Sequence, residues 1–292
     1  VRGATKNIKS SGAGGEETTS TNVKSFDSDG FTLGVDNAVN GNSDNMVSWS
    51  WKAGGTGSSN SNGSVSSTVS ANTTAGFSIC KFNYPNSGNF TVGHGLGVAP
   101  NVVIVKGLSP AHNTNWQVYH SALGNTYNTQ LNYTNASTTA ANWWGSTSPT
   151  STVFTVGADL VETGNMAGIA YCFAAKTGYS KFGKYIGNGN ADGTFVYTGF
   201  KPALIIIKST GYSENWFIFD NKRPGYNLNA NHLNPNSSTS ETASSANTMD
   251  ILSNGFKMKA TNNGINRSGD TFIYAAFGQS LVGSNNVPCT AR

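Results

Sequence analysis

One stretch of this chain is written twice. Residues 202–208 read Pro-Ala-Leu-Ile-Ile-Ile-Lys and, after a short polar loop, lead to Asn215-Trp216-Phe-Ile-Phe219. Residues 100–106 read Pro-Asn-Val-Val-Ile-Val-Lys and, through a slightly longer loop, lead to Asn115-Trp116-Gln-Val-Tyr119. A period of about 100 residues constrains the fold more than any local propensity, because each copy must form the same packed unit. An unbroken apolar run suits a strand buried on both faces, and the Trp-x-x-aromatic segment suits its neighbour.

A second pair of strands follows each of these, and it occurs once more near the start. Asp29-Gly30-Phe31 precedes Val47-Ser-Trp49-Ser-Trp51, Val153-Phe154 precedes Ile169-Ala-Tyr171-Cys-Phe173, and Asn254-Gly255-Phe256 precedes Phe272-Ile-Tyr274. Phe31 and Trp49 stand 18 residues apart, as do Phe256 and Tyr274, while Phe154 and Tyr171 stand 17 apart. The alternation of Val47, Trp49 and Trp51 with serines predicts a strand with one face inward.

The chain therefore divides into the later half of a unit over residues 1–53, a Gly/Ser/Asn-rich linker or edge segment over 54–75, and complete β-sandwich repeats over 76–177 and 178–283. A tail follows at 284–292. Val1-Arg2-Gly3 aligns with Lys222-Arg223-Pro224-Gly225, just past the Trp-x-x-aromatic strand. The strands that would complete the half unit are expected upstream or from another molecule.

Composition agrees with an all-β fold of tandem two-sheet β-sandwiches. Charged residues make up 11% of the sequence, against about 25% in ordinary soluble domains. Gly, Ser, Thr and Asn take their place, and only five glutamates are present, too few for a helix surface laced with ion pairs. The net charge of +4 is spread thinly, with no Lys/Arg run to follow a phosphate backbone, so nucleic acid is not an expected partner. No apolar window is long enough to predict membrane insertion.

The residues suggest no catalytic, cofactor-binding or metal-ligating set. Cys80, Cys172 and Cys289 lack zinc-like spacing, and Cys172 reads as a small strand residue. Asp27-Ser-Asp-Gly30 opens like a calcium loop, but its counterpart Leu252-Ser-Asn-Gly255 has no carboxylate, which favours a hairpin turn. The histidines His94, His112, His120 and His232 form no His-x-x-x-His pair, and no Gly-x-Ser-x-Gly elbow is present. The acids Asp159 with Glu162, or Asp192 with Asp220, are conceivable glycosidase pairs that their surroundings do not mark. Trp143-Trp144 interrupts a polar stretch and has no counterpart in the last unit. The pair is the candidate for glycan or partner contact, with core capping as the alternative.

Several segments together resemble a known family. Val1-Arg-Gly-Ala-Thr5, Ser25-Phe-Asp-Ser-Asp-Gly-Phe-Thr-Leu-Gly34, Trp49-Ser-Trp-Lys-Ala-Gly54, Gly93-His-Gly-Leu96, Lys184-Tyr-Ile-Gly-Asn-Gly189 and Val287-Pro-Cys-Thr-Ala-Arg292 are similar to repeat domains of marine tailed-phage structural proteins. That resemblance implies jelly-roll, concanavalin A-like (laminin G-like) sandwiches in a virion protein exposed on a tail fibre or the capsid surface. The expected role is adhesion to a host-surface glycan or receptor, without enzymatic activity or cofactor. The alternatives are capsid decoration or scaffolding, contacting only other virion proteins, and a secreted glycan-degrading enzyme. Partners would be other virion proteins, and analogy with phage fibres suggests a homotrimer.

Overall fold

The computed structural model describes residues 1–111, 113–160 and 166–279. His112, Glu162, the expected end of the last repeat at 280–283, and the tail at 284–292 with Cys289 lie outside the described residues. The fold is almost entirely β. The half unit contributes the hairpin of β1 (Val23–Phe26) with β2 (Phe31–Leu33), besides a two-residue ladder of Lys6–Asn7 with Glu17–Thr18. Its turn is Asp27–Gly30, closed by Asp27 N–H donating to the Gly30 carbonyl at 2.8 Å.

The first repeat region holds β3 (Ser58–Asn60), β4 (Ser67–Asn72), β5 (Phe77–Asn83), β6 (Phe90–Gly93), β7 (Val102–Gly107), β8 (Gln117–His120), β9 (Val153–Val156) and β10 (Ala167–Phe173). The second holds β11 (Ser180–Ile186), β12 (Phe195–Tyr197), β13 (Pro202–Ser209), β14 (Trp216–Asp220), β15 (Met249–Leu252), β16 (Gly255–Met258) and β17 (Thr271–Gly278). The main sheets run β8-β7-β10-β5-β4-β3 and β14-β13-β17-β11, and every named pairing is antiparallel. A small sheet lies over each, β9-β6 in the first repeat and β12-β16-β15 in the second. The Gly/Ser/Asn-rich segment 54–75 thus supplies two strands to the first main sheet, β3 at its edge and β4 between β3 and β5.

Strand side chains alternate between faces, and both faces of these main sheets are used. One face of each packs on its own small sheet: Val103, Val105, Cys172 and Phe154 in the first core, Ile205, Ile207, Tyr274 and Phe256 in the second. The opposite faces meet in a third cluster, which joins Val102, Val118 and Phe173 to Leu204, Ile218 and Phe277. This explains the unbroken apolar runs of β7 and β13, which are central strands covered on both sides. The lysine ending each run, Lys106 or Lys208, is also buried.

Two expectations need correction. Val47–Trp51 forms no ladder, although Trp49 and Trp51 pack against the third cluster. Its counterparts β10 and β17 are each paired on both edges, whereas among the described residues no strand pairs with Val47–Trp51. The spacing match also misplaced the repeat by one residue. Phe173 pairs with Val102 and Phe277 with Leu204, at the same step of the duplicated run. Tyr171 therefore corresponds to Ala275 rather than Tyr274, and a one-residue slip exchanges inward and outward faces.

Candidate functional site

The predicted contact residues Trp143 and Trp144 do not form an open platform. Trp144 is 2% exposed and meets Tyr119 edge-on at 5.7 Å, inside the first core. Trp143 is half-buried against the same core, and its carbonyl accepts from Gly157 N–H at 2.8 Å. The capping alternative describes Trp144, and only Trp143 retains surface.

Two histidines, His94 and His120, act as crosslinks between backbone segments. His94 accepts from Leu96 N–H at Nδ1, with Nε2 3.2 Å from the Thr150 carbonyl. His120 accepts from Ala122 N–H at Nδ1, with Nε2 3.1 Å from the Tyr274 carbonyl, which ties the first sheet to the second. Each pair of bonds requires the neutral ring with its proton on Nε2. Burial pushes both imidazoles down, His120 to about 4. Lys208 Nζ donates to the carbonyls of Ser209 (2.7 Å) and Tyr212 (3.4 Å). Burial lowers its pKa to about 8, against the opposing pull of Asp270 and Glu214. The candidate acids serve structure as well: Asp220 pairs with Arg223 at 2.6 Å, and Asp192 with Lys257 at 2.5 Å.

Where the outward faces meet, three aromatic rings converge: Trp51–Phe173 at 5.9 Å, Trp51–Phe277 at 5.3 Å and Phe173–Phe277 at 5.7 Å. Beside them opens a cavity of about 1160 Å³, lined by the outward faces of both main sheets, by Trp49 and Trp51, and by the β1–β2 hairpin. A smaller cavity of about 390 Å³ also borders Trp49 and Trp51. The larger lining is chiefly apolar, and Phe26 at its rim is 72% exposed.

A second exposed aromatic feature lies on β12. Val196 pairs with Phe256, as Val92 pairs with Phe154 in the first repeat. The outward positions Thr91 and Gly93 of the first repeat therefore correspond to Phe195 and Tyr197, which are exposed. Lys181 Nζ sits 5.2 Å over the Tyr197 ring and donates to its carbonyl at 2.8 Å. Sequence reasoning passed over this pair because Phe-Val-Tyr reads as an ordinary buried strand. The signal was the contrast with Thr91 and Gly93, visible only once the register was known.

These features define an all-β repeat protein whose sandwiches pack outward face against outward face around an aromatic centre. The chain belongs to the family described as Domain of unknown function (DUF7483), whose model matches residues 1–280. No curated protein and no solved structure matches it.

Proposed function

We propose that this chain is a non-enzymatic structural protein of a tailed-phage particle, located on the tail fibre and adhesive toward a host-surface glycan. The observation that carries this reading is the outward pair Phe195 and Tyr197, set on a framework whose first copy has Thr91 and Gly93 at those places. Flat rings beside a cation offer the apolar face and polar rim that sugar rings use. The wiring of His94 and His120 into backbone bonds at both ring nitrogens supports a scaffolding role for the imidazoles most deeply placed in the fold.

The full chain, applied to a glycan array, should bind a restricted set of glycans, and Phe195→Ala with Tyr197→Ala should abolish that binding. Stability should fall by about 1–2 kcal/mol, since both rings are half-exposed and Tyr197 loses its Lys181 contact. Immunogold labelling of particles should place the chain on the tail. Labelling spread over the capsid would replace adhesion with decoration, and reducing ends released from the array glycans would overturn the non-enzymatic reading.

A further inference from the structure

The cavity stands where the half unit, unlike the two repeats, contributes no main sheet among the described residues. Three small two-residue ladders recur: Lys6–Asn7 with Glu17–Thr18, Tyr127–Asn128 with Thr138–Thr139, and Asn231–His232 with Thr242–Ala243. In each, the residue three positions after the ladder begins is Lys9, Gln130 or Asn234. Trp116 Nε1 donates to the Lys9 carbonyl at 3.0 Å, and Trp216 Nε1 to the Gln130 carbonyl at 2.9 Å. Each indole thus reaches back to the preceding unit. The third equivalent carbonyl, that of Asn234, belongs to a residue lining the cavity.

A second set of contacts runs around the same centre in the opposite sense. Arg2 of the half unit donates to the Tyr171 hydroxyl of the first repeat at 2.9 Å. Arg223 of the second repeat sits 5.8 Å over the Trp49 ring of the half unit. Trp49 and Tyr171 each lie two residues before a member of the aromatic triad. The contacts pass from half unit to first repeat and from second repeat back to half unit, so the three units are arranged as a closed ring. The hairpin residues tell the same story. Phe26 and Phe31 correspond through their ladders to Ile251 and Phe256, which are 7% and 0% exposed in the second core. In the half unit they are 72% and 38% exposed, and among the described residues no main sheet lies between them and the triad.

We propose that the cavity is a docking site for a β-sheet of this same repeat, one that supplies strands equivalent to β11, β13 and β14 on the two open edges of Val47–Trp51. Its Trp-x-x-aromatic strand finishes beside Val1 and places an indole on the Asn234 carbonyl. Its inner face covers Phe26 and Phe31, and its outer face closes over the triad. The occupant is a polypeptide sheet because the open sites include an unpaired strand as well as apolar surface. Both of this chain's own copies of the motif are already engaged, so a second copy of the chain has no free sheet to offer.

The test places residues 178–221 directly before Val1, where Lys222-Arg223 aligns with Val1-Arg2. In the unaltered chain, amides of Val47–Trp51 should exchange far faster than those of β10 and β17, and the dye ANS should fluoresce on binding the cavity. In the fused chain, those amides should become protected, the ANS signal should fall to background, and the midpoint of thermal unfolding should rise. Replacing the added copy of Trp216 with Phe should leave the cavity closed and lower the midpoint part of the way back. Three results would overturn the proposal: protected Val47–Trp51 amides and no ANS binding in the unaltered monomer, a dimer of the unaltered chain that closes the cavity, or a folded fusion whose added segment stays open to protease while ANS still binds.

Discussion

Lys208 and His120 put pH dependence into an otherwise weakly charged protein. Lys208 is depressed to about 8, so between pH 8 and its unfolded value near 10.5 the unfolded chain holds more protons and stability rises with pH. The gain from pH 8 to 10 should be about 2 kcal/mol. Above that range the raised tyrosines, Tyr185 foremost, reverse the trend, because the folded state then holds the extra protons. Urea titrations should show that rise, and Lys208→Met should flatten it. His120, depressed to about 4, works at the other end. Its contribution is complete above about pH 6.5 and is lost as pH falls toward 4, on the order of 3 kcal/mol. His120→Asn should shrink that acid loss, whatever its effect at neutral pH. Trp216→Phe keeps one aromatic ring but removes the bond to the Gln130 carbonyl and part of the buried indole's volume, at a cost of about 2–3 kcal/mol at constant m-value.

Among the elements, the duplicated strands were legible because physics leaves them little choice. Pro-x-apolar-Lys reads as a central strand, and β7 and β13 are central strands. Val47–Trp51 was misread for a reason outside its own residues: alternation specifies which face turns inward, but a ladder needs neighbours to accept its bonds. For Trp144 the capping alternative describes the structure, while its polar neighbourhood in sequence, Asn142 to Ser146, could not by itself separate capping from contact. Nothing in the sequence of Phe195-Val-Tyr197 separates apolar residues that face water from buried ones, so their exposure shows only in the structure. Phe277, 6% exposed and touching Trp51, Phe173 and Phe182, tests how much the aromatic centre contributes. Phe277→Ala should cost about 3–5 kcal/mol, measured by denaturant unfolding. A loss under about 1 kcal/mol would mean that the centre is loosely packed.

On the scale of the molecule, the fold class was readable from sequence, while the way the sheets meet was not. No single copy reveals that both faces of its main sheet are covered by different partners, since the apolar run looks the same in either case. The shared third cluster has an equilibrium consequence. The two sandwiches should unfold in one calorimetric transition, and Phe277→Ala should shift that transition as a whole. Two resolved peaks would show that the outward faces contribute little to cooperativity.

The indole bonds also give the molecule a direction in time. Trp116 fastens onto Lys9 and Trp216 onto Gln130, always onto chain made earlier. On a ribosome, each new sheet emerges to find its acceptor already exposed. Synthesis at about 5–20 residues per second leaves each unit several seconds before the next arrives. Each unit thus rests on the one made before it, and a pause placed between repeats would help assembly rather than hinder it.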